Sequence, residues 1–106
     1  MPLFPEFPEY DDVFIIPDGW VDVSWHNNAC PSIAKRINDK LSVIIWCDFK
    51  EPKRREIGGS DLRFVISEEV FDEFGEEHYE PKGGAHTFDD AILFANSLYS
   101  SLTKGE

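Results

Sequence analysis

His26 and Cys30, separated by three residues in a polar loop, are the pair in this chain best placed by type for nucleophilic chemistry. An imidazole that accepts the thiol proton leaves a thiolate, the reactive form of cysteine. No glycine-rich oxyanion loop accompanies them, and a plain structural loop accounts for the same residues. Cys47 lies in an apolar run and reads as an ordinary buried thiol. A zinc ion could draw on His26 and Cys30 with Cys47, His78 or His86, but structural zinc sites usually take their four ligands as two close pairs, and one pair is present. No metal site is assigned from the sequence. No cofactor is assigned either, since Gly58-Gly59-Ser60 lacks the lysine and helix start of a phosphate loop.

Binding chemistry is better represented. Glu68, Glu69, Asp72, Glu73, Glu76, Glu77 and Glu80 form a carboxylate run suited to an arginine-rich surface, or to a solvated sheet edge. Lys50, Lys53, Arg54 and Arg55 form a cluster of opposite sign that could hold an anion or pair locally with Glu51 and Glu56. The chain carries 21 acidic and 10 basic residues, a formal charge of −11. Residues 1–34 and 64–80 contain acids and no lysine or arginine, and the bases concentrate between them. Such a field disfavours direct contact with nucleic acid or an anionic membrane and favours a basic protein partner.

These side chains need a scaffold, and 106 residues, 42% of them hydrophobic, suffice for one domain with one core. Leu41 to Phe49 is predicted to be a central strand, with Leu41, Val43, Ile45, Cys47 and Phe49 on a wholly apolar face. Val13–Ile16 is expected to form a hairpin with residues 20–26 through Pro17-Asp18-Gly19, with Val21, Val23 and Trp25 facing inward. Residues 32–37 are read as a strand rather than a short helix, turning at 38–40 into the central strand. A three-residue turn would set Ile33 opposite Ile45 and put the two cysteines out of register; a two-residue turn would set Cys30 opposite Cys47. The former buries more apolar surface and is preferred. Leu62–Ser67 returns as a strand. Residues 68–84 are poorly periodic, with a short edge strand near His78-Tyr79 and a flexible connection at Gly83-Gly84. Thr87 and Asp90 open an amphipathic helix over about 88–103, whose apolar stripe runs through Phe88, Ala91, Ile92, Ala95, Leu98, Tyr99 and Leu102. Leu93 stands on the opposite face.

The expected fold is therefore α+β: an antiparallel sheet of four to six strands packed by one C-terminal helix, spanning 13–106 behind an N-terminal arm of residues 1–12. In that arm prolines at 2, 5 and 8 alternate with Phe4, Phe7 and Tyr10. Their period of three suggests a polyproline II edge, laid in a groove of its own domain or around a second copy as a homodimer. No apolar run reaches the ~18 residues of a membrane span and the start lacks signal-peptide features, which points to the cytoplasm. The functional expectation is a small non-enzymatic acidic protein, of inhibitor or immunity type, that docks on a basic partner. The alternative is a small enzyme or metal-binding protein using His26 and Cys30.

Overall fold

The central run does become a strand, and the rest of the sheet is laid out around it in chain order. In the computed structural model, which describes residues 3–51, 53, 55 and 62–104, the elements are β1 (Val21–Asp22), β2 (Ser32–Asn38), β3 (Leu41–Cys47), β4 (Phe64–Phe71), β5 (Glu77–Ala85) and α1 (Phe88–Lys104). The five strands form one antiparallel meander, β1-β2-β3-β4-β5. The fold is thus α+β, with α1 packed across one face of the sheet. The basic Arg54 and the Gly58-Gly59-Ser60 turn lie outside the described residues.

Alternation in β3 sends Val43, Ile45 and Cys47 into the core with Ile33, Phe64 and Ile66, and α1 covers them with Ala91 and Ala95. The two alanines keep the helix axis close to the sheet, while Phe88, Ile92, Leu98, Tyr99 and Leu102 pack around them. Thr87 starts the helix as read from the sequence, its Oγ1 accepting the Asp90 N–H at 3.2 Å. The β2–β3 pairing takes the register that sets Ile33 opposite Ile45. The turn itself is not the expected three-residue one: Asn38 pairs with Leu41 around Asp39-Lys40, and a bulge between Arg36 and Asn38 takes up the extra residue within β2. Cys30 and Cys47 are buried and unbridged.

Three further expectations about the sheet are corrected, and one about the N-terminal arm. First, Val13–Ile16 is not a strand and forms no hairpin with residues 20–26. Phe14 instead stacks on Phe88 at 4.0 Å between ring centroids and meets Phe4, Tyr10 and Phe64 edge-on. Aromatic burial at the start of α1 outweighs strand pairing for a segment this short. The turn still forms, with Trp20 N–H on the Pro17 carbonyl and Gly19 at φ 90°. Second, the alternation of residues 20–25 is real but its faces are exchanged: Trp20 is 5% exposed in the core, whereas Val21, Val23 and Trp25 face outward. Trp20 joins the core cluster, and its burial there sets the phase that turns Val21, Val23 and Trp25 outward.

Third, Gly83-Gly84 is part of β5, a nine-residue strand, rather than a flexible connection. A Cβ on Gly83 would stand 2.5 Å from the Phe94 ring, so glycine is what lets α1 approach the strand there.

The N-terminal segment packs on its own domain, Phe4 and Phe7 being buried in the core. Its backbone is not an extended polyproline II helix. Phe7 N–H donates to the Phe4 carbonyl and Tyr10 N–H to the Phe7 carbonyl, two successive turns with Pro5 and Pro8 just after the first residue of each. Proline presets the φ that this position needs. Two linked turns repeat every three residues just as polyproline does, so the aromatics still share a side. Tyr10 and Asp12 fasten the segment to Arg63, which reaches the Asp12 carboxylate at 2.8 Å, the Tyr10 hydroxyl at 3.0 Å and the Asp48 carbonyl at 3.1 Å.

Candidate functional site

The structure places the thiol and the imidazole singled out by spacing in different surroundings. Cys30 is 0% exposed in the core, while His26 is exposed, with its Nδ1 3.0 Å from the Glu6 carboxylate and its ring against Trp25. That contact holds the Glu6 carboxyl below its usual range. Cys47 is equally buried, and burial drives its thiol well above the usual range. A buried neutral thiol is a poor nucleophile.

The carboxylate run is distributed over three places by the β4–β5 hairpin. Glu68 and Glu80 lie on the helix side of the sheet and share Lys82, at 2.8 and 3.2 Å. Asp72 organises the turn, accepting the N–H groups of Phe74 and Glu76 and contacting His78 Nε2 at 2.8 Å. Asp72, Glu76 and His78 bring ligand-type atoms within 4.8 Å of one another at this exposed turn, and Glu73 beside them is solvated. Glu69 and Glu77 alone of the run point to the face of the sheet that α1 leaves uncovered.

On that face the two-residue period of each strand assembles a cleft. Val23 and Trp25 come from the β1 side, Ser32 from β2, Ile44 and Trp46 from β3, Glu69 and Phe71 from β4, and Glu77 and Tyr79 from β5, with Asn28 at the rim. Its volume is about 530 Å³, within the range of small-ligand clefts, ~300–1,000 Å³. Register explains the grouping: Ser32 is opposite Trp46, Trp46 opposite Val65, Glu69 opposite Tyr79, and Phe71 opposite Glu77. Trp46 and Tyr79 meet edge to face with centroids 5.4 Å apart, forming a corner of two rings. Trp25 remains 51% exposed. Tryptophan left at the surface with an apolar neighbourhood is characteristic of interfaces.

The charged groups lining the cleft are both carboxylates, Glu69 and Glu77. Tyr79 donates its hydroxyl to Glu77 Oε2, and Glu69 interacts with both of them. Partial burial pushes the Glu69 carboxyl up, the Tyr79 hydroxyl pulls it back, and the neighbouring Glu77 carboxylate adds to the rise. Burial and the two carboxylates raise Tyr79 as well, keeping it a protonated donor. Arg36, in line with Ser42 and Glu69 across three strands, offsets part of this charge from one side.

The run of residues 68–80 was visible in the sequence, but the separation of Glu69 and Glu77 from the others was not. Their alternation with Phe71 and Tyr79 was the available signal, obscured because β5 carries a proline and two glycines. No family model, curated protein or solved structure matches the chain.

Proposed function

We propose that this chain is an acidic docking protein of the cytoplasm, inhibitor-like or immunity-like, that binds a basic protein through the uncovered face of its sheet. The observation that carries this reading is the cleft itself. Two tryptophans, a tyrosine and a phenylalanine stand around two carboxylates on a face that no element among the described residues covers, in a chain of charge −11. Distributed negative charge speeds encounter with a basic surface, and the aromatic residues supply the desolvated contacts in which binding energy concentrates. The carboxylates at the hairpin turn, Glu73 and Glu76, then serve the approach, while Glu69 and Glu77 serve the bound state. A homodimer through the N-terminal aromatics is not favoured, because Phe4 and Phe7 are occupied within their own core.

The test is a titration of the protein with a peptide rich in lysine and arginine, at low and high salt, followed by tryptophan fluorescence. Trp25 and Trp46 respond and binding weakens with salt. The double variant Glu69→Gln/Glu77→Gln loses the response, whereas Glu73→Gln/Glu76→Gln mainly slows association. Equal loss in both double variants, or none in either, would reject the assignment to this face.

A further inference from the structure

We infer that the cleft on the uncovered sheet face selects an arginine side chain of the basic partner over a lysine; this rests on the docking reading above and goes beyond it in naming the chemical group. The first observation is shape. Trp46 and Tyr79 stand at 69° to one another, so a planar cation stacked on one ring turns its edge along the other. The second is the arrangement of acceptors. Glu69 and Glu77 project from diagonal positions of neighbouring strands on the same face, and the Tyr79 hydroxyl orients the Glu77 carboxylate. A guanidinium presents five N–H donors in a fixed plane and can meet two carboxylates at once, whereas an ammonium is a compact point charge without a face to stack.

The third observation is independent of the acidic residues. Ser32, 1% exposed, lines the cleft across from Trp46, and its Oγ has no hydrogen-bond partner among the described residues. Buried hydroxyls are normally paired, and an unpaired one facing a cleft calls for a ligand donor. Register puts Ser32 in line with Trp46 and Val65, four residues before Glu69, so this oxygen is left to a further donor of the same bound segment rather than to the guanidinium held by the carboxylates. Arg36 stands on the Glu69 side and leaves Glu77 facing the cleft.

The experiment compares arginine-only and lysine-only peptides of equal length by calorimetric titration of the intact protein. The arginine peptide is expected to bind roughly tenfold more tightly, reflecting bidentate and stacked contacts that lysine lacks. Ser32→Ala, which removes an oxygen that has no partner among the described residues, should weaken binding of the arginine peptide several-fold with the thermal transition unchanged or raised. Trp25→Ala, at a half-exposed position, should reduce the arginine preference and covers the case in which replacing Trp46 unfolds the sheet. Equal affinities for the two peptides, both lost in Glu69→Gln/Glu77→Gln, would overturn the arginine inference while leaving the docking reading intact. Binding of neither peptide would overturn both.

Discussion

Glu69 is the residue whose situation says most about this protein. Its carboxyl is raised, first by burial and then by Glu77, so the folded state takes up its proton more readily than the unfolded chain does. Stability therefore falls as pH rises from the ordinary glutamate range, about 4.3, through the raised value, and the penalty is complete above it. Glu69→Gln should increase stability at neutral pH by about 0.5 kcal/mol, a small figure because the site is partly solvated and screened. The gain should vanish below about pH 4. Denaturant melts of the two proteins at neutral and acid pH check this, and an equal difference at both would contradict it. The same substitution should weaken the docking that the cleft is proposed to perform, the opposition of stability and function expected of a binding residue. The cysteines give a second prediction at this scale. With Cys30 and Cys47 buried, alkylating reagents should label them only on unfolding, at a rate that follows denaturant. Fast labelling of native Cys30 would revive the thiol chemistry suggested by its spacing from His26.

Among the elements, the N-terminal segment and β5 carry the most specific claims. Arg63 joins Asp12, the Tyr10 hydroxyl and the Asp48 carbonyl, and Arg63→Met leaves these acceptors without their cation. A loss of about 3 kcal/mol is expected, the scale of breaking one partner of a buried pair. Partial burial tends to raise the Asp12 carboxyl, but Arg63 and the Val13 N–H together hold it below the usual range. The pair's contribution is thus present above the ordinary aspartate range, near 4, and is lost as pH falls through the depressed value. The difference between the native protein and Arg63→Met should shrink in acid. In β5, Gly83→Ala should cost about 1–3 kcal/mol by displacing the Phe94 ring, and Phe94→Ala should recover part of it in the double variant. Additive losses would show that the close approach does not matter. Elements with uninterrupted patterns were legible in advance: β3 from its apolar alternation, α1 from its stripe and Thr87 cap, and the β2–β3 register from the burial of Ile33 against Ile45. The others were decided by partners distant in sequence. Phe14 was drawn from strand pairing by Phe88, and the phase of residues 20–25 was set by the burial of Trp20. The cleft depended on that phase and on β5, because it needs Val23 and Trp25 turned outward and β5 long enough to place Tyr79 beside Trp46.

At the scale of the whole molecule, one side of the sheet is closed by α1 and the N-terminal segment, and the other presents aromatic rings and carboxylates. The closed side accounts for stability: Phe4, Phe7, Trp20, Ile33, Ile45 and Phe64 are buried together in one cluster. The uncovered side accounts for the proposed docking. No helix among the described residues is long and apolar enough to cross a membrane. The charge of −11 belongs to this scale, since it acts over the Debye length, about 10 Å at 0.1 M salt, and sets how fast a basic surface arrives rather than where it seats. The three tryptophans separate these roles, Trp20 lying in the core and Trp25 and Trp46 in the cleft. The most direct measurement is an NMR titration of isotope-labelled protein with an arginine-rich peptide, following the three indole N–H signals and the backbone amides. Docking on the uncovered face predicts shifts at Trp25 and Trp46 and along Glu69–Phe71 and Glu77–Tyr79, with Trp20 and α1 unmoved. Shifts confined to the outer face of α1 or to the turn at Glu73 and Glu76, with both cleft indoles still, would contradict it.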